Sequence, residues 1–433
     1  MDNVQQDAPD LYMKQLFFIL VMGLAPLVCG YGVSKAADPM AGVPIIDRSF
    51  KKLEPKGVRV GKFLLLPSVQ SDVEYTNNVF QTNAKKESDK VFVLSPQITG
   101  EANFSGNKVS LNVEAEQYLY EKYDSQDRLN YNAEIGINVP ISTAARFDAK
   151  IITGQDHNRR LEESGSVIES AEPVQYNRTG FLSELILKPS NIEWRIGAAV
   201  NQLKYKNTRR LSDNALFVQN DRDRVSYGAT VKATYDAGLR FKPAFGISYT
   251  QFDFDRRNFV SGAGYGGVNQ DRQRFAALAG IEMLPVGKWR GEAKVGVGYE
   301  VADDSVLDNQ ATNLIDIDLT YLYTPLTNFN FEFERFFEDD TNATQGVIQT
   351  RLAASVVHEL TRQWLLSAGI SKEWRDFQNG NDDGTLGGFI GANYKINRQF
   401  TLGGVIEYLD RESNRNNGDF DETKAMIRLK TAF

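Results

Sequence analysis

Apolar and polar residues alternate with a period of two along almost the whole chain from Phe63 onward. Over 289–301 one phase reads Trp289, Gly291, Ala293, Val295, Val297, Tyr299 and Val301, and the other reads Arg290, Glu292, Lys294, Gly296, Gly298 and Glu300. Successive side chains of a strand point to opposite faces, so this pattern predicts a ribbon with one apolar and one charged face. The same rule sets Val225, Tyr227, Ala229, Val231, Ala233 and Tyr235 against Arg224, Ser226, Thr230, Lys232 and Thr234. It also sets Ile315, Ile317, Leu319 and Tyr321 against Asp316, Asp318 and Thr320, and Tyr131, Ala133, Ile135 and Ile137 against Asn132 and Glu134.

The breaks between ribbons have a rhythm of their own. Tight turns recur at Ser105-Gly106-Asn107, Pro140-Ile141-Ser142, Pro189-Ser190-Asn191, Asp236-Ala237-Gly238, Pro285-Val286-Gly287, Pro325-Leu326-Thr327, Leu360-Thr361-Arg362 and Ile396-Asn397-Arg398. Between them fall longer hydrophilic joins, such as 77–88, 158–173, 207–221 and 255–271. Short turns at one end and longer loops at the other characterise outer-membrane barrels. The expected fold is all-β: a transmembrane, antiparallel, up-and-down barrel of roughly eighteen strands over residues 62–433, with its C-terminal strand ending on Phe433. An even count leaves both termini in the periplasm.

Trp194, Phe241, Trp289, Phe329, Trp364 and Phe400 follow tight turns in the apolar phase, where a periplasmic aromatic girdle lies, and Tyr205, Tyr249, Tyr299 and Tyr408 mark the opposite rim. Three residues fit badly. Pro96 and Pro243 lack a ladder donor and should mark a bulge or strand end, and Arg335 stands in the lipid phase, tolerable near an interface.

The ends carry addresses. Residues 1–36 read as a leader: Met13-Lys14, the apolar run Leu16–Val28 and the small-residue exit Ser34-Lys35-Ala36 match a Sec signal peptide, with Met13 an alternative start. Val28 before Cys29 argues against lipidation. Residues 37–61 then form a periplasmic arm. At the other end, Ile427, Leu429 and terminal Phe433 share the apolar phase, and a strand ending on Phe resembles the tail recognised by the barrel-assembly machinery. Thr431 departs from that pattern.

Composition removes other classes. In 433 residues, 42% hydrophobic and 24% charged, there is no apolar run long enough for a membrane helix. One cysteine and two histidines leave no disulfide framework and little for metal or triad chemistry, so neither cofactor nor metal is expected. A net charge of -7 disfavours nucleic acid as a partner. His157 lies near an external rim and falls outside by phase; His358 falls on the lipid side near the periplasmic end. The acid pairs Asp303-Asp304, Asp339-Asp340 and Asp382-Asp383 read as solvated loop tips rather than calcium cages, and 262–267 as a flexible loop. A rim hydrolase is the weakest reading, and no enzyme is expected.

Function should lie on the inward phase. Glu114, Glu116, Glu134, Glu193, Arg195, Lys232, Arg290, Glu292, Lys294, Asp316, Asp318, Glu332, Glu334, Glu407, Arg428 and Lys430 would line the lumen, with Tyr118, Tyr120 and Phe336 as inward aromatics. A wet wall of both signs suits neutral or polyhydroxylated solutes; strong ion selectivity calls for rings of one charge. The segments Pro67-Ser68-Val69, Tyr75-Thr76-Asn77-Asn78-Val79-Phe80 and Ser95-Pro96 resemble the opening of a β-barrel porin family found beside bacterial exopolysaccharide gene clusters. That resemblance implies an outer-membrane conduit for a secreted polysaccharide, working with periplasmic export proteins. Outer-membrane lipid and a glycan or other hydrophilic solute are the remaining partners expected. A general or solute-selective diffusion porin is the alternative.

Overall fold

The computed structural model describes residues 43–45, 48, 53–158, 170–211, 213–236, 238, 240–260, 263–283, 287–338, 346–378, 380–415 and 418–433. The leader, Cys29 and Asp339-Asp340 therefore lie outside the described residues. Eighteen antiparallel strands close into one barrel. In chain order they are β1 (Phe63–Thr76), β2 (Asp89–Phe104), β3 (Asn107–Tyr120), β4 (Arg128–Ser142), β5 (Ala145–His157) and β6 (Gln175–Leu187). There follow β7 (Ile192–Tyr205), β8 (Arg224–Tyr235), β9 (Phe241–Phe254), β10 (Arg272–Met283), β11 (Trp289–Ala302) and β12 (Gln310–Thr324). The last six are β13 (Thr327–Glu338), β14 (Val347–Thr361), β15 (Trp364–Phe377), β16 (Asp382–Lys395), β17 (Phe400–Ser413) and β18 (Phe420–Ala432).

Each strand pairs with the next, and β1 pairs with β18 from Ser68↔Ala432 to Thr76↔Lys424, so the sheet has no free edge along the seam. Asp72 and Arg428 reinforce that seam at 2.9 Å. A barrel of this kind satisfies the backbone by closure, which is why strands with a polar face can cross lipid. The turn between β2 and β3 shows how local sequence sets register. Ser105 and Gly106 both take positive φ, 53° and 94°, the twist that a two-residue hairpin needs.

The apolar phase faces outward. Val73, Phe92, Ile98, Ile135, Ile151, Phe245, Val295, Ile370, Ile390, Ile406 and Ile427 are all exposed on the bare chain, the surface that lipid covers. Trp194, Phe241, Trp289, Trp364 and Phe400 are exposed at the short-turn end, while Tyr299 and Tyr408 are exposed towards the loops. Tyr205 corrects the expected outer girdle. On β7 the outward residues are Trp194, Ile196 and Val200, so Tyr205 takes the opposite phase; it is buried, its ring beside Tyr176 at 5.2 Å and under Arg222 at 4.1 Å.

The two prolines behave differently from a bulge. At Pro96 the β2–β3 ladder omits pairs between Leu94↔Gln117 and Gln97↔Glu114, yet the register is the same on both sides. Pro243 lies beyond the last β8–β9 pair, Thr234↔Ala244, and so at a strand end on that side. Arg335 reaches the rim hydroxyls of Thr350 and Thr312 and lies 3.8 Å from Asp376.

A periplasmic turn is clamped by charge. Hydrogen bonds from Lys188 and then Lys242 hold the Asp236 carboxyl down at about 2. A depressed carboxyl stabilises the fold above its ordinary value near 3.8, and that contribution is lost as the pH falls from there through about 2. Because the clamp is partly exposed it is worth no more than ~1 kcal/mol. Asp236→Asn should therefore shift urea unfolding slightly at pH 7 and less at pH 2, where the carboxyl is about half protonated; an equal shift at both would contradict the assignment.

Candidate functional site

The inward phase encloses the lumen, which divides into three zones along its axis. The middle zone is a wall of ion pairs. Lys150 meets Glu134 at 3.0 Å, and Arg195 bridges Glu193 at 2.7 Å and Glu184 at 3.4 Å. Lys232 reaches Glu282 at 2.6 Å and Glu292 at 3.8 Å; Lys294 reaches Glu292 at 2.5 Å and Asp316 at 3.1 Å. Arg351 serves Glu332 at 3.3 Å and Glu334 at 3.8 Å. Register places Asp318 directly between Glu292 and Glu332, a row of three acids that repel one another and depend on the neighbouring cations. Arg290 stands opposite Thr320, Glu407 opposite Lys424, and Lys430 opposite both Thr401 and Gln70. Glu114 and Glu116 face Asn132 and Asn130 across the β3–β4 ladder.

The outer zone is a collar of guanidinium groups stacked on aromatic rings, and it comes from a repeated device. Asp127, Asp223 and Asp271 each stand just before a strand and accept the backbone N–H of Tyr120, Tyr205 or Phe254 on the preceding strand at 2.6–2.7 Å. The arginine that follows each turns inward: Arg128 over Tyr118 at 4.0 Å, Arg224 over Phe254 at 5.5 Å and Arg272 over Phe252 at 5.2 Å. Arg274 stacks on Phe252 at 5.0 Å and pairs with Glu300 at 2.7 Å. Arg224 and Arg274 are only 2% exposed, so these groups brace the rim instead of presenting charge to a solute. Tyr118 and Tyr120, expected as inward aromatics, are part of this packing through Arg128. At the end of β13 it is Phe337, from the other phase, that packs on Ala276, Leu278 and Leu314. The β12–β13 pairing stops at Arg335, so the last residues of β13 are held on the β14 side alone.

His157 is corrected as well. It is buried and turned inward, its Nδ1 2.9 Å from Asn130 Oδ1 and its ring beside Tyr118, because the alternation ends with the strand. His358 keeps its expected phase and meets Thr327 Oγ1 at 3.0 Å.

At the periplasmic mouth the described residues before β1, namely 43–45, 48 and 53–62, form a strap. Arg48 donates to Glu359 at 3.1 Å, each side chain 6% exposed, and to the Val43 carbonyl at 3.1 Å. Ile45 is 3% exposed, and its N–H lies 2.6 Å from the Asn328 side-chain oxygen when that amide is oriented to satisfy both partners. Farther along, Glu54 lies in the electrostatic reach of Lys395, the Gly57 N–H donates to the Phe433 carbonyl at 3.1 Å, and Val58–Val60 pairs with the start of β1. The strap thus touches the wall at β14, β16 and the seam in turn.

Alternation in the sequence singles out charges and misses three kinds of lining residue. The amides Gln97, Asn112, Asn130 and Asn132 share the inward phase, but carry no charge to draw notice. The repeated Asp-Arg dyad was readable at 127–128, 223–224 and 271–272. Arg48 with Glu359 had no local signal, being 311 residues apart.

The profile of a family described as "Putative beta-barrel porin 2" matches residues 51–433. No curated protein matches the chain. Among solved structures, OpdK of Pseudomonas aeruginosa, crystallised with vanillate, shares 10% identity at a TM-score of 0.46, covering 85% of this chain and 99% of its own. The siderophore receptor PiuA from Acinetobacter baumannii shares 11% identity at a TM-score of 0.48, with 87% and 82% covered. The copper transporter OprC shares 10% at 0.48, with 87% and 81% covered.

Proposed function

Because this chain belongs to the Putative beta-barrel porin 2 family and is an outer-membrane β-barrel porin, we propose that it serves as the outer-membrane conduit for a secreted polysaccharide. The observation that carries the reading is the inner wall. In its middle zone the fixed charges of both signs stand in ion pairs, so a bulky polyhydroxylated chain meets hydrogen-bonding groups with little net field to arrest it. The partners of this reading are periplasmic export proteins below and the barrel-assembly machinery during biogenesis, with the Ile427, Leu429 and Phe433 tail as the assembly signal.

Deleting the gene tests it. Surface glycan should fall to background while polymer accumulates in the periplasm, and unchanged surface glycan removes the reading. In that event a stable open conductance of the purified barrel in a planar bilayer would assign it to solute diffusion instead.

A further inference from the structure

We propose that the inner wall of β2–β4 carries a binding site for a neutral saccharide, formed by Gln97, Asn112, Glu114, Glu116, Asn130 and Asn132. The inference rests on the polysaccharide reading and deepens it by naming the chemical class. Register puts these side chains in one patch: Gln97 is opposite Glu114, Glu114 opposite Asn132, and Glu116 opposite Asn130. Strands stand about 4.8 Å apart, and Asn112 to Glu116 spans about 14 Å at ~3.4 Å per residue, so the patch has room for a short run of sugar rings.

The contacts within the patch differ from those of the ion-paired wall. Gln97 Nε2 donates to Asn112 Oδ1 at 3.2 Å and Glu114 Oε2 at 3.4 Å, and Asn132 Nδ2 donates to Glu114 Oε1 at 3.3 Å. The Tyr118 hydroxyl donates to Glu116 at 3.2 Å, and His157 Nδ1 lies 2.9 Å from Asn130 Oδ1. These bonds orient the groups before any ligand arrives, which lowers the ordering cost of binding. A carboxamide carries both donors and acceptors, and a carboxylate has several lone-pair sites. That is the complement of a hydroxyl, which gives one hydrogen bond and takes others.

Access and clearance agree. All six residues are half-buried, unlike the sealed arginines of the collar. Gly154 sits opposite Asn132 in the same row, and a side chain there would strike the Tyr131 carbonyl at 2.3 Å, so the wall is recessed beside the amide. An acidic glycan fits worse. Its carboxylates would face Glu114 and Glu116, while the guanidinium in the same row, Arg178 beyond Gly154, donates to Asn201 at 2.9 Å on the side away from the patch.

The test is titration calorimetry on the full-length protein in detergent, with maltoheptaose as neutral probe and heptagalacturonate as acidic probe. Maltoheptaose should bind saturably and at least tenfold tighter than the acid. The double variant Asn130→Leu with Asn132→Leu should weaken maltoheptaose at least tenfold, and Asn393→Leu on β16, outside the patch, should not. Glu114→Gln with Glu116→Gln, which keeps shape and removes charge, should narrow the preference for the neutral probe. Absence of saturable maltoheptaose binding, equal affinity for both probes, or unchanged affinity in the Asn130/Asn132 variant overturns the proposal. Binding with normal surface glycan after gene deletion would sink the export reading alone, whereas lost glycan without binding would sink only this site.

Discussion

An arginine substituted for Val295 lowers the stability of the folded barrel by about 2–4 kcal/mol. Val295 is 60% exposed on the bare chain, near the middle of β11, and its cross-strand neighbours Ala279 and Ile315 are apolar. A guanidinium there has no rim within easy reach, so it must thin the bilayer or draw in water. Thr230→Arg provides the contrast. That side chain lies on the inward phase of β8, between Gly197 and Ser248, where water receives the charge and the cost should stay below ~1 kcal/mol. Urea titration in lipid vesicles compares the two, and similar costs would reverse the assignment of faces.

Replacing Arg48 by alanine should free the strap from the mouth. Removing one member of a buried ion pair costs ~3–5 kcal/mol when the other charge stays buried. Here the structure has an escape, because detachment of Ile45 and Arg48 would return Glu359 to water. The expected result is release of the segment without loss of the barrel. A cysteine placed at Ile45, now 3% exposed, should react with a soluble maleimide about a hundredfold faster in the Arg48→Ala background, since ~1.4 kcal/mol corresponds to a factor of ten. Unchanged labelling would show that the ion pair does not hold the strap.

The barrel was legible because its signal is repeated. Every strand restates the period of two, and every second connection is tight, so errors at one turn do not propagate. Strand ends were less legible. His157 and Phe337 break phase where one of their two flanking ladders has ended, and Tyr205 lies near a loop although the register of β7 turns it inward. Among the lining residues, charges stand out against an apolar background, whereas amides such as Gln97, Asn112 and Asn130 blend with ordinary polar composition. The contact of Arg48 with Glu359 depends on three-dimensional closure that no local pattern encodes.

The seam between β1 and β18 has a consequence for the birth of the molecule. Asp72 finds Arg428 across 356 residues of chain, so the cylinder cannot be finished until its final segment has been synthesised and exported. Loop-closure entropy makes such distant pairing slow. A copy cut short by premature termination would present two raw sheet margins, each a template for unwanted strand addition, and such a copy is a substrate for proteolytic disposal and not a partly working pore.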